Sequence, residues 1–86
     1  MDGDGALTGR RRLYWRCRRG MLELDLLLQG FLEIGYPALG PDGRRAFERL
    51  LERPDRTLQA WLLGNETPDE RELADVVAAI RGAAAD

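Results

Sequence analysis

The sequence predicts an all-α protein, a small five-helix bundle in a single domain. Apolar residues recur at three- and four-residue spacing in segment after segment. No segment alternates apolar and polar residues for long enough to make a strand, and the intervening Gly, Pro and Asn residues leave only short connections. At 86 residues a chain buries only about 60% of the surface it exposes when unfolded, so one modest core is the limit. A deep cofactor cavity would hollow that core out, so a protein acting through its surface is expected.

The first helix is expected from Arg11 to Arg18, with Leu13, Tyr14 and Cys17 turned inward. The second runs from about Met21 to Gly35 on the stripe Leu24, Leu27, Leu28 and Phe31, and Gly30 inside it is a site for a kink or break. A third opens near Pro41 and ends at Pro54, carrying Phe47, Leu50 and Leu51. Its start, Gly40-Pro41-Asp42-Gly43, offers no Ser or Thr cap. The fourth is short, with Leu58, Trp61 and Leu62 as its core face, Asp55 as cap and Gly64-Asn65 as stop. In the fifth, Leu73, Val76, Val77 and Ile80 fall at i, i+3, i+4 and i+7. Thr67 at the cap, Pro68 at the first helical position and Glu70 two further on mark its start, and Gly82 suits its end. The domain takes in residues 1–86, with an ordered core at about residues 10–81 and frayed ends.

The residue inventory excludes most catalysis. All 13 basic residues are Arg and there is no His. Without His there is no Ser-His-Asp or Cys-His pair, and without Lys no Schiff base and no phosphate-binding P-loop. One cysteine, Cys17, can make neither a structural zinc site nor an internal disulfide. Cys17 reads as a small buried hydrophobe rather than a reactive thiol, although its Arg neighbours would lower its pKa if it were exposed. Most cofactor and metal enzymology is therefore excluded, which leaves carboxylate chemistry or binding by shape and charge, and no catalytic residue or metal ligand is singled out.

The formal net charge of −2 hides a bipolar chain: residues 1–20 carry six Arg against two Asp, and residues 21–86 carry seven Arg against thirteen acids. The Arg-rich run 10–19, interleaved with Tyr14 and Trp15, could pair with phosphates and stack on bases, or grip an acidic protein surface. The acidic remainder and a pI near 5.1 argue against nucleic acid. The acidic start Met1 to Gly5 matches neither a secretory leader nor a transit peptide. Charges interrupt the longest apolar stretch, Leu22 to Ile34. With one unpaired Cys, a cytoplasmic protein without membrane insertion is expected.

The run Trp15-Arg16-Cys17-Arg18-Arg19-Gly20-Met21-Leu22-Glu23-Leu24-Asp25 contains R-G-x-x-E behind a W-x-C-R-R lead-in. Followed by Phe31, Tyr36, the block Phe47 to Glu52, Asp55, Leu58 and Trp61-Leu62, it resembles the succinate dehydrogenase assembly factor family over about residues 10–81. R-G-x-x-E alone would recur by chance; the lead-in, length and downstream pattern make the likeness specific.

The resemblance implies a five-helix protein that is not an enzyme. It would bind the flavoprotein subunit of succinate dehydrogenase, and often of fumarate reductase, while FAD is linked covalently to a His of that subunit. It further implies that no cofactor is stably bound by the factor itself and that Arg19, Gly20 and Glu23 sit in the partner-facing patch, with Arg18, Trp15 and Asp25 beside them. A monomer is expected. Read from the residues alone, Arg19 and Glu23 at i, i+4 could instead form a weak surface ion pair. Gly20 between them, costly inside a helix, points to a helix junction or to close approach of a partner backbone. Trp15 reads as a half-buried anchor of the first helix, or as an extension of the interface, Asp25 as a patch residue or an acid at a helix N-terminus, and Trp61 as core. A nucleic-acid-binding module using residues 10–19, and a general adaptor for another acidic protein, are the alternative functions.

Overall fold

The structure, a computed structural model, describes the backbone of residues 2–85 and the side chains of residues 9–84. It is built from α1 (Asp2–Arg16), α2 (Leu22–Ile34), a 3-10 turn at Tyr36–Ala38, α3 (Pro41–Leu50), α4 (Asp55–Leu62) and α5 (Arg71–Ala85), with no strand among the described residues. The expected all-α five-helix bundle is the one found.

Each helix buries the stripe that its spacing marks. Leu24, Leu28, Phe31 and Leu32 of α2, Ala46, Phe47 and Leu50 of α3, Leu58 and Leu62 of α4, and Leu73, Val76, Val77 and Ile80 of α5 form one cluster. Phe47 is its centre, with the Phe31 ring 5.5 Å away and the Tyr36 ring 5.4 Å away between centroids. Burying a side chain of this size contributes about 2 kcal/mol, and truncating one such as Phe47 to Ala costs about 3–5 kcal/mol because the cavity fills only partly. The fifth helix lies mainly against α3 and α2. Arg49 reaches Glu72 at 2.7 Å, and Arg53 lies 3.7 Å from Glu70, across the surface between α3 and the start of α5.

Several boundaries differ from expectation, each for a tertiary reason. The fifth helix starts at Arg71, with the Ala74 N–H bonded to the Glu70 carbonyl, so Thr67 and Pro68 lie in the preceding loop. There Pro68 is buried and the Glu70 carboxylate faces Arg49 of α3 and Arg53 just beyond it, contacts that outweigh a local capping box. Gly82 does not end this helix, which continues through the alanines to Ala85. Gly30 does not split α2: burial of Leu28, Phe31 and Leu32 on either side more than offsets the cost of one helical glycine, about 1 kcal/mol. The cap position of α4 is Pro54 rather than Asp55, whose carboxylate is drawn elsewhere.

The first helix is longer than the Arg11–Arg18 segment expected and joins the core through Leu13 and Cys17. Tyr14 turns outward, 39% exposed, because Leu13 and Cys17 at i, i+4 already define the buried face.

Candidate functional site

The residues of R-G-x-x-E stand at the junction between α1 and α2. The first helix ends at Arg16, and Gly20 takes φ +85°, the only positive φ among the described residues. This left-handed conformation suits glycine and strains any residue with a Cβ. Gly20 therefore turns the chain between two helices, as its position in the motif suggested.

Arg19 faces into the molecule. Its Nε donates to Asp55 Oδ1 at 2.7 Å, Nη1 to the carbonyls of Arg16 and Leu51 at 2.9 and 3.0 Å, and Nη2 to the carbonyl of Arg53 at 2.8 Å. Its backbone N–H donates to Asp25 Oδ1 at 2.6 Å. The carbonyls of Leu51 and Arg53 follow the last turn of α3 and that of Arg16 closes α1, so one guanidinium satisfies orphan acceptors at two helix C-termini. Its ion pair with Asp55 fastens both to the first residue of α4. The Arg19 side chain is only 16% exposed. The alternative of a surface ion pair between Arg19 and Glu23 is not realised, because Asp55 and the carbonyls of Arg16, Leu51 and Arg53 hold the Arg19 guanidinium away from it.

The other candidate residues divide in two. Asp25, half-buried, closes the loop onto Arg19. Glu23, Gly20, Arg18 and Trp15 are exposed. The expectation that Trp15 is half-buried is corrected: it is 62% exposed, with Arg18 stacked over its ring at 5.3 Å and the Tyr14 ring edge-on at 6.1 Å. The Leu13–Cys17 face of α1 enters the core, and Trp15, between them in sequence, projects away from it. Trp61 is partly buried against the core, beneath Arg53.

Cys17, two residues before Arg19, is fully buried. Desolvation pushes its thiol up to about 12, against the opposing pull of the Arg19 and Arg16 charges. It is a core residue with no nucleophilic character.

The structure also presents surface residues that the motif did not indicate. Leu22, Leu26 and Ile34 of α2 are 74%, 61% and 78% exposed. With Gly30 they form a single i, i+4 row beside Glu23. The signal is in the sequence, since α2 carries more apolar residues than one core-facing stripe can bury. Asp55, which anchors Arg19, carried no comparable signal, because the two are joined only by folding.

Among the described residues no group of three or more potential ligands could hold a metal ion, and no helix is long and apolar enough to cross a membrane. The geometry suits binding: a bare turn, one carboxylate, and exposed aromatic side chains on α1 and aliphatic ones on α2.

The family described as flavinator of succinate dehydrogenase matches residues 11–84 of this sequence. This chain belongs to that flavinator family. Among its relatives, the FAD assembly factor SdhE of Legionella pneumophila (strain Paris) is 51% identical over 70 residues, covering 81% of this chain and 87% of the relative. The FAD assembly factors SdhE of Shewanella oneidensis and Idiomarina loihiensis are 47% and 42% identical, covering 86% and 88% of this chain and 90% and 84% of theirs. The relatives are named as assembly factors, not as enzymes. For this flavinator-family chain, that agrees with an inventory lacking His and Lys.

Proposed function

We propose that this chain binds the flavoprotein subunit of succinate dehydrogenase, and that of fumarate reductase, and promotes covalent attachment of FAD to it. The observation that carries the reading is the surface at the α1–α2 junction. Exposed Trp15, Leu22 and Leu26 flank Gly20 and Glu23 at the motif of a flavinator-family chain. Clustered exposed apolar side chains around a polar centre are the anatomy of a protein interface, in which Trp is enriched. A mainly electrostatic nucleic-acid surface would not need them.

The linkage forms on the partner, since a chain without His cannot carry a histidyl flavin. FAD is handled as cargo of the flavoprotein and is not stably held by this chain, which works as a monomer in the cytoplasm. The chain acts by preferring the flavoprotein conformation in which linkage proceeds, shifting the population toward it by differential affinity. Gly20 lets the partner backbone approach a turn that lacks a side chain, Glu23 accepts hydrogen bonds from partner donors, and Trp15 with Arg18 supplies contact area. Arg19 and Asp25 act as positioning residues that hold the turn in place.

The experiment is in-gel flavin fluorescence of the succinate dehydrogenase flavoprotein subunit, produced with and without this chain. Covalent flavin is expected only with it, and a Glu23→Ala variant of unchanged stability should fail to restore it. Equal covalent FAD in the absence of this chain sinks the functional reading, and full restoration by Glu23→Ala sinks the assignment of Glu23.

A further inference from the structure

A cleft of about 630 Å³ lies between α1 and the segment from the 3-10 turn to α3, lined by Arg10, Arg12, Arg16, Tyr36, Arg44 and Glu48. Gly9, Arg12, Leu13 and Arg16 fall on one stripe of α1 at i, i+3, i+4 and i+7, which separates this cleft from the Trp15 and Arg18 surface.

Four Arg and a single carboxylate, that of Glu48, line the cleft. Arg16 Nη2 donates to the Glu48 carbonyl at 2.7 Å and Arg44 Nη2 to the Pro37 carbonyl at 3.0 Å, so two of them are held in place by backbone oxygens. The Arg44 guanidinium also sits over the Tyr36 ring at 5.7 Å. None of the four Arg has a carboxylate partner within ion-pairing distance among the described residues. Glu48 accepts a hydrogen bond from the Tyr36 hydroxyl at 3.3 Å. Like charges gathered in one concavity, two of them oriented by neutral acceptors and all four outnumbering the one carboxylate there, form a preorganised receptor for an anion.

We propose that this cleft is a binding site for a diphosphate, either free or carried on a nucleotide. The charge balance selects the ligand class. Four Arg against one Glu leave an excess of three positive charges, which a diphosphate matches and a single carboxylate does not. The planar forks of Arg16 and Arg44 are suited to bidentate contact with phosphate oxygens. The remaining surface is predominantly acidic, which directs an approaching anion to this cleft. The site lies on a different face of α1 from Trp15 and Arg18.

The test is an NMR titration of the full chain in low salt with sodium pyrophosphate, ADP, citrate and a glutamate-rich peptide. Saturable shifts at Arg16, Tyr36 and Arg44 are expected with pyrophosphate or ADP, weakening at least about tenfold at high salt. Tighter binding of ADP identifies a nucleotide as the source, and binding of pyrophosphate alone identifies the free anion. Arg12→Gln, at an exposed position with no side-chain hydrogen bond among the described residues, should weaken binding about threefold or more without altering the fold. Glu48→Gln should strengthen it. No saturation by about 10 mM, shifts centred on Trp15 instead, or equal binding of citrate or the peptide would each overturn the proposal.

Discussion

Arg19 Nε stands 2.7 Å from Asp55 Oδ1, joining the α1–α2 junction to the first residue of α4 across 36 positions of sequence. The same guanidinium takes the carbonyls that end α1 and α3. The first residue of the R-G-x-x-E motif thus builds the surface on which the last is displayed.

Arg19→Ala should therefore destabilise the isolated chain by about 2–4 kcal/mol, because it removes charge-assisted hydrogen bonds from a mostly buried group. Arg19→Lys should recover only part of this, since one ammonium cannot reach four acceptors in the geometry of a planar fork. Urea denaturation measures both. Unchanged stability in Arg19→Ala would return Arg19 to the role of a surface contact.

Gly20→Ala should cost about 1–2 kcal/mol through backbone strain at φ +85°. Added at this position, a Cβ meets nothing within 4 Å beyond Gly20 and its chain neighbours, so the strain is confined to the local backbone and displaces no packed side chain. Gly20→Asn should lie between the two, because Asn tolerates the left-handed region better. The thermal midpoint should fall in the order Gly, Asn, Ala, by about 4–8 °C per kcal/mol. The two substitutions cannot leave the fold fully intact, so their effect on flavinylation must be read beside their stability.

Trp15→Ala and Leu26→Asp change side chains that the isolated fold scarcely uses, and each should alter its stability by less than about 1 kcal/mol. Affinity for the flavoprotein subunit should fall by about 2 kcal/mol for Trp15→Ala, roughly thirtyfold, as for an interface anchor. Calorimetric titration against the purified subunit decides. Wild-type affinity in both variants would place the interface elsewhere.

Stability should decline as pH rises from about 9 toward 12, because the folded state keeps the Cys17 thiol protonated while the unfolded thiol ionises near its ordinary value of 9.0. A group whose pKa is raised by folding contributes its stability below the unfolded value and loses it above. The slope from Cys17 approaches about 1.4 kcal/mol per pH unit within this window. Tyr36, whose pKa is also raised, by burial and then by the Glu48 carboxylate, adds a slope of the same sign above about 10. Denaturation of the wild type and Cys17→Ala at pH 8 and 10.5 separates the two. Identical slopes would contradict burial of the thiol.

The sequence by itself determined the five helices and nearly all of the core, because helical periodicity is a local property and Leu24, Phe47, Leu58 and Val76 announce their faces without reference to other segments. It also located the motif and its glycine turn. Only the tertiary structure decided what each motif residue does. Arg19 turns inward and Glu23 outward because Asp55 and the open end of α3 arrive beside the junction on folding, and no spacing within residues 19–23 encodes that meeting. Trp15 and Tyr14 went the same way: their ring chemistry suits core and surface alike, and Leu13 and Cys17 had already taken the buried face. The start of α5 at Arg71 followed too, since burial of Pro68 and the pull of Arg49 and Arg53 on Glu70 override the local capping signal at Thr67. Local periodicity sets which residues are helical, while the partners brought close by packing set where helices end and which polar groups remain available to another molecule.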